Sequence, residues 1–446
     1  MNTIIGLDLG TTAVKGVLTD TDGKVLATVT KRYKYYFENG VKYQKPHEYL
    51  DFCFDVIKTL ADFSDDNNVL AVCSCCASGN LIILDNDDNP LTPIIGWQTA
   101  VPQEEIDKFY TEEEKTETYK TVGWQFLENF PMSQLGWIKL NSPDIIDKAK
   151  MITMSAEYLN FALTGKWGIS QSMGTPFYLL DQEKGIYNQK LLKKLGISED
   201  KLPKIYDKGT VLGDVIPEVA EKLNLRSTTK VVLGSFDHPS AAMGAGVFEV
   251  GEMLISCGTS WVEFLPVPSR EFAISTGFLV DRFMLSGAPY CIMASVVSIS
   301  EKIEKLREHY LGKISHKEFD EYVKGSSLGA GGLRFMLTDS DYHLEKDYSK
   351  SDIARATIEC SAYVLKDNLE TLKKSGIDVK KITMVGGISN SSVCVNVISE
   401  VLGLPVRVIN GESAGAVGSA LLAGIGIGIY KNEKFAFETM MKANSI

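Results

Sequence analysis

Four short stretches of the 446-residue chain carry groups suited to handling a phosphate. The first is Asp8-Leu9-Gly10-Thr11-Thr12-Ala13-Val14-Lys15. A carboxylate at the end of a strand can orient Mg2+, a hard cation that takes oxygen ligands and keeps several waters. Gly10 lets the backbone pass close to a phosphate. The amides and hydroxyls of Thr11 and Thr12 can donate to its oxygens as an anion-binding nest, and Lys15 on the following strand can reach the same group. The same residues also fit an ordinary hairpin with an aspartate beside its turn. The second stretch is Gly234-Ser235-Phe236-Asp237-His238, read as a loop after a strand. Phosphoryl transfer to a hydroxyl needs a carboxylate to accept the proton. Asp237 has the chemistry for that, and equally for capping the small-residue helix that follows. The third is Gly258-Thr259-Ser260, a turn resembling the first. The fourth is Gly386-Gly387, read as the end of a strand opening a helix, where free N–H groups and the dipole favour an anion. Such a pair also lets adenine or ribose lie flat against the backbone. No G-x-x-x-x-G-K-[ST] occurs, and Gly424, Gly426 and Gly428 do not stand between a strand and a helix. The P-loop and the dinucleotide fingerprint are both excluded.

The elements that must position these groups follow from hydrophobic patterning and turn residues. Strands are predicted over 3–9, 13–19 and 25–33, joined by tight turns, then a helix over 46–63 and strands over 69–74 and 81–84. Helical patterning dominates from about 102 to 225. A new beginning is read at 229–265, with strands over 230–233, 252–256 and 261–265. Strand, glycine–threonine turn, strand therefore occurs twice, at 4–19 and 252–265, as two related lobes would require. The last third reads as helix 352–374, strand 382–385, helix 391–402, strand 405–409 and a small-residue helix 413–423, an α/β layer pattern. The best boundary lies around 225–245.

Composition sets the class. Hydrophobic residues make up 44% and charged residues 23%, as in an ordinary globular protein with a large core. The charge sum, 46 − 57 = −11, supplies no basic field, so no nucleic-acid partner is expected. The eight cysteines have no repeated C-x-x-C spacing. Cys73, Cys75 and Cys76 lie on a strand and read as small buried hydrophobes rather than metal ligands. No secretory leader and no run of 18 apolar residues is seen, so neither membrane association nor export is expected, and the cytoplasm is the default location.

Taken together, GLDLGTTAVKGVL, VVLGSFDHPSAAMGAG, GEMLISCGTS, TMVGGISNSSVCVNVISEVLGLPV and ESAGAVGSALLAG resemble the FGGY carbohydrate kinases in order and spacing. That family includes xylulokinases, gluconokinases and glycerol kinases, and the likeness extends over nearly the whole chain. It implies two ribonuclease-H-like lobes of the actin/hexokinase type around a deep nucleotide- and sugar-binding cleft, with lobes expected at 1–238 and 239–446. It implies ATP-dependent phosphorylation of a small sugar or polyol with Mg2+. By motif, Asp8 would hold the metal, and Gly10, Thr11, Thr12 and Lys15 the transferred phosphoryl group. Asp237 would be the general base. Gly258 and Thr259 would bind nucleotide phosphates, and Gly386, Gly387 and Asn390 the adenosine. Ser78, Gly79, Asn80, Trp97, Asp237 and His238 would face the sugar. A nucleotide-binding sensor of the same fold and an actin-like ATPase are the alternatives, and a homodimer is the expected assembly. The chain departs from the family in three places. Ser78-Gly79-Asn80 replaces a more strongly polar pair. Trp97-Gln98-Thr99-Ala100 lacks the usual charged residues after the tryptophan. The loop after Phe335 is shortened.

Overall fold

The computed structural model describes residues 1–38, 40–64, 68–77, 79–258, 260–285, 287–336, 344, 346–409 and 413–444. It divides into two compact units. The first comprises Met1–Gly246, Leu279–Leu285 and Ser413–Ile446, and the second Val247–Phe278 and Ser286–Glu412.

In the first unit the strands Thr3–Leu9, Ala13–Asp20 and Val25–Arg32 form an antiparallel meander. Thr3–Leu9 is buried along nearly its whole length, as an inner strand covered on both faces must be. Val25–Arg32 alternates half-buried and exposed residues and ends the sheet on that side. On its other side Thr3–Leu9 pairs in parallel with Val69–Cys76, which pairs in parallel with Lys230–Phe236. An antiparallel strand, Val211–Asp214, completes the edge. The helix Pro46–Asp62 starts on a proline at its first turn and buries Tyr49, Cys53, Val56, Ile57 and Leu60. That helical spacing makes one apolar stripe, laid on the strand Ala13–Asp20.

The second unit repeats this plan. The order is Ala288–Val296, Trp261–Val267, Glu252–Cys257, Lys381–Gly386, Val406–Val408. The first three are antiparallel, and the last two join Glu252–Cys257 in parallel. Each unit thus has a hairpin at its centre and parallel strands to one side, as the repeated strand–turn–strand pattern predicts.

Three details differ from the sequence reading. The region 102–225 is not purely helical: short strands such as Met151–Thr153, Gly168–Ser170 and Lys204–Tyr206 interleave with the helices, each too short to show a period. The strand predicted to stop at 233 continues to Phe236, and the helix Asp237–Gly244 begins at once, so Asp237 is on a helix and not in a loop. The compact units do not follow a division at 238/239. The penultimate helix, Ala414–Gly426, packs on Thr3–Leu9 and on Asp237–Gly244, within the first unit.

That return depends on glycine. A Cβ on Gly6 would lie 2.0 Å from the Ala416 carbonyl oxygen, one on Gly244 2.1 Å from that of Ala414, and one on Gly418 1.9 Å from that of Ser240. Backbones meet there with no side chain between them. Ser240 Oγ donates to the Gly415 carbonyl at 2.9 Å, and Ser419 Oγ to the Leu7 carbonyl at 3.0 Å, so the buried hydroxyls in the seam are satisfied. All eight cysteines are free and buried, as expected of small hydrophobes. Among the described residues no helix is long and apolar enough to cross a membrane.

Gly418→Ala is expected to destabilise the protein by about 1–3 kcal/mol through overpacking against fixed backbone. Gly387→Ala, whose Cβ would meet nothing within 4 Å, serves as the control and should leave the urea midpoint unchanged.

Candidate active site

The strands Thr3–Leu9 and Lys230–Phe236 flank Val69–Cys76, with Leu9 and Phe236 both in register with Cys76. Gly10, Ala77 and Asp237 therefore leave the sheet side by side, at the carboxyl ends of parallel strands. This is where open α/β sheets bind ligands. The Gly10 N–H donates to the Ala13 carbonyl at 3.1 Å and closes the turn. Tyr35 Oη donates to the Thr11 carbonyl, and Trp97 Nε1 to Thr11 Oγ1 at 3.3 Å. Thr12 is exposed, and Lys15 stands opposite Asp8 across the hairpin.

Asp8 Oδ1 and Asp237 Oδ1 are both sealed from solvent, and among the described residues neither has a hydrogen-bond partner. Burial raises the Asp8 carboxyl to about 6, and the charge of Asp237 adds to this; Lys15, the Cys75 thiol and His238 pull it back. Burial likewise raises Asp237 to about 7, opposed by backbone N–H groups at the start of its helix. His238 is depressed to about 4 by burial. Its Nε2 lies 3.8 Å from Asp237 Oδ1, but a neutral imidazole makes no ion pair. Asp237 keeps 26% of its side-chain surface open although Oδ1 is sealed, so one side of the carboxyl faces outward. Gly415 leaves room for Asp8: a Cβ there would stand 3.0 Å from Asp8 Oδ2 and 3.2 Å from Cys75 Sγ. Among the described residues no group of three His, Cys, Asp or Glu could cage a metal. Two carboxylates with unspent oxygens beside a hydroxyl-bearing turn nevertheless fit Mg2+, which completes its shell with waters and phosphate oxygens.

Gly10, Thr11, Asn80 and Trp97, distant in sequence, line one pocket together with Tyr35 and Gln44. Asn80 is anchored in its wall, accepting from the Ser155 N–H at 2.7 Å and donating to Ser155 Oγ at 3.0 Å. Gly79 adopts φ +58°, and a Cβ there would lie 2.2 Å from the Phe130 ring, so this loop needs glycine for both reasons. Ser78 lies outside the described residues. Asp237 and His238 are not among the pocket's lining residues. The Asp237 charge is nonetheless felt at Cys76, whose Sγ is 3.8 Å from Asn80 Nδ2.

In the second unit Cys257 and Gly386 are paired across parallel strands, which brings Gly258 and Gly387 to neighbouring strand ends. The Gly258 N–H donates to the Ser260 carbonyl at 3.2 Å, and Ser300 Oγ to the Gly258 carbonyl at 2.7 Å. Thr259 lies outside the described residues, as do 337–343 and 345 of the segment after Phe335 that the sequence reading took as shortened. Gly386 has φ +103°, with the Cys257 carbonyl oxygen 2.3 Å from where its Cβ would be. Gly387 and Asn390 are exposed. The expected helix does not open on the glycines: a 3-10 turn, Gly387–Asn390, intervenes before the helix Ser392–Leu402, which Ser391 caps. Ser391 takes up the cap because its hydroxyl accepts from the Cys394 N–H at 3.1 Å.

Sequence reasoning missed Tyr35, Gln44, Ser240, Gly415 and Ser419. The small-residue spacing of Gly415, Gly418 and Ser419 was a signal for close helix packing. Nothing local marked Tyr35 or Gln44, which reach the pocket only through folding.

The profile of the FGGY family of carbohydrate kinases, N-terminal domain, matches residues 3–244, and that of the C-terminal domain matches 336–427. A xylulose kinase of Staphylococcus epidermidis is 24% identical, over 99% of this chain and 92% of its own. An autoinducer-2 kinase of Klebsiella pneumoniae is 25% identical, over 96% of this chain and 87% of its own. The crystal structure of a ligand-bound xylulose kinase from Lactobacillus acidophilus superposes with a TM-score of 0.91 at 23% identity, covering 98% of this chain and 92% of that one. Such structures have two actin/hexokinase-like lobes, the fold that the strand order of each unit describes. With profiles of both domains matched in order along its length, the chain belongs to the FGGY family of carbohydrate kinases.

Proposed function

We propose that the protein transfers the γ-phosphoryl group of ATP to a hydroxyl of a small sugar or polyol, with Asp237 as general base. The observation that carries this reading is the pair of buried carboxylates, each with an unspent oxygen, at strand ends next to the Gly10–Thr12 turn. Asp237 accepts the proton of the acceptor hydroxyl. That oxygen forms a bond to the γ-phosphorus as the bond to the bridging oxygen breaks, and ADP leaves with its charge on the β-phosphate. Asp237 suits the task because burial holds its proton affinity close to neutrality, where a general base is most effective. Neutral His238 beside it neither competes for the proton as a cation nor pairs with the carboxylate.

Asp8, on its rigid inner strand, is assigned to hold Mg2+, which when bound offsets charge on the phosphates. The amides and hydroxyls of Gly10, Thr11 and Thr12, with Lys15, are assigned to the transferred phosphoryl group. In the second unit the turn at Gly258 and Thr259 is assigned to the nucleotide phosphates. Gly386, Gly387 and Asn390 are assigned to the adenosine, supported by the open backbone at Gly387. Trp97, Asn80, Gly79, Ser78 and His238 are assigned to the acceptor side.

Two predictions follow from Asp237. In an assay of ADP release across ketoses, aldoses, polyols and sugar acids, one class should stimulate turnover, and Asp237→Asn should lower that rate by roughly 10²–10⁴-fold. The rate should climb as pH rises through about 7, where the base loses its proton. Equal rates for wild type and variant would defeat the assignment. The second prediction concerns stability without ligands. A carboxyl whose proton affinity is raised by folding stabilises the native state at low pH and loses that contribution as pH rises through about 7. That loss begins above the ordinary carboxyl range, so Asp237→Asn should raise the melting temperature most at about pH 8.5 and less at about pH 5.

A further inference from the structure

We propose that Gln44 is a specificity-determining residue of the acceptor pocket, its side-chain amide hydrogen-bonding a hydroxyl of a neutral, polyhydroxylated acceptor. The inference rests on reading the pocket of Thr11, Asn80 and Trp97 as the acceptor side of phosphoryl transfer. Gln44 ends the strand Val41–Gln44, in register with Ile94, and is only 8% exposed. It lines the same pocket as Thr11, Asn80 and Trp97. Among the described residues its Nε2 has no hydrogen-bond partner. A buried amide donor left unmet costs free energy that folding must offset, so it needs a reason to persist.

The other polar groups of the wall are largely spent. Both ends of the Asn80 amide are committed to Ser155. Trp97 Nε1 is committed to Thr11 Oγ1, and the Thr11 carbonyl to Tyr35. Tyr49 Oη is also unpartnered among the described residues, but it is more deeply set, at 2% exposure, and its ring stacks on Tyr33. Of these two buried residues with an unpartnered polar atom among the described residues, Gln44 is the less buried. Every residue lining the pocket is uncharged. The carboxylates of Asp8 and Asp237 stand at the neighbouring strand ends. A sugar acid would bring a negative charge towards acidic groups with no cation in this wall to receive it. A neutral acceptor brings only hydroxyl or carbonyl oxygens, for which an amide N–H is a fitting donor.

The test uses the full chain and two readouts: acceptor binding by calorimetry without nucleotide, and KM and kcat from acceptor-dependent ADP release. The probes are the best neutral acceptor, its monodeoxy analogues and the corresponding sugar acid. Gln44→Leu should raise the acceptor Kd and KM by about tenfold, as loss of one purpose-built hydrogen bond does. The KM for ATP should stay unchanged, and the melting temperature should not fall. One monodeoxy analogue should bind wild type about tenfold more weakly than its parent, and Gln44→Leu should abolish that difference. The sugar acid should bind wild type at least about tenfold more weakly than the neutral acceptor. An unchanged acceptor Kd in Gln44→Leu, or a deoxy penalty that persists in it, overturns the inference. Equal affinity of wild type for every monodeoxy analogue overturns it without any variant. If wild type turns over an acceptor and Gln44→Leu matches it, the inference alone fails. If no acceptor binds or turns over with wild type, the functional reading fails with it.

Discussion

Direct backbone contact, with no side chain interposed, between the strand Thr3–Leu9, the helix Asp237–Gly244 and the helix Ala414–Gly426 is the constraint on which the site depends. At Gly6, Gly244 and Gly418 a carbonyl oxygen of a neighbouring element takes the space that a Cβ would need. Asp8 is anchored by the first of these elements and Asp237 opens the second, so the separation of the two carboxylates is set by packing that tolerates no added methyl group. Interiors at this density are stiff. A site that must hold phosphate and base in register gains from that stiffness, because misplacement by an ångström can forfeit much of the advantage of bound reactants.

The same packing sets the electrostatics. Sealing Asp8 Oδ1 and Asp237 Oδ1 removes the water that would stabilise their charges, and burial is the largest influence on both. Their mutual repulsion adds to the effect at Asp8, with Lys15 across the hairpin a partial counterweight. Without ligands these oxygens are a cost to stability. In the proposed reading a cation and an acceptor hydroxyl would engage them. Stability is withheld where the chemistry needs reactivity, a common arrangement in active sites.

The two units reuse one device. In each, an inner strand ends in a glycine turn that leads into an antiparallel partner, and the neighbouring parallel strands end at the same edge. They differ in what surrounds the turn. Around Gly10–Thr12 the chain supplies carboxylates, Lys15 and an aromatic hairpin. Around Gly258 and Gly387 it supplies small residues and open backbone. That contrast suits proton and metal chemistry on the first unit, and a flat, uncharged ligand surface on the second.

Much of this was legible in the chain itself. The hairpin at Gly10–Thr12, its echo at Gly258–Ser260, the α/β alternation of the last third and the chemistry available to Asp8 and Asp237 all follow from residue types and short-range spacing, which local sterics and hydrogen bonding determine. What the sequence could not decide was anything requiring distant segments to meet. The helix Ala414–Gly426 returns to the first unit because its glycines fit Thr3–Leu9 and Asp237–Gly244, and no local pattern names that partner. Asp237 lies on a helix because Lys230–Phe236, irregular between Leu233 and Phe236, pairs with Val69–Cys76 again at its last residue. Asn80 and Trp97, expected to face the sugar, have their polar atoms engaged by Ser155 and Thr11, while Gln44, unremarkable in sequence, lines the same pocket with an amide nitrogen that has no partner among the described residues. Residue type determines which bonds a side chain is able to make. Only the tertiary structure decides which of them the protein has already made, and so which are left for a ligand.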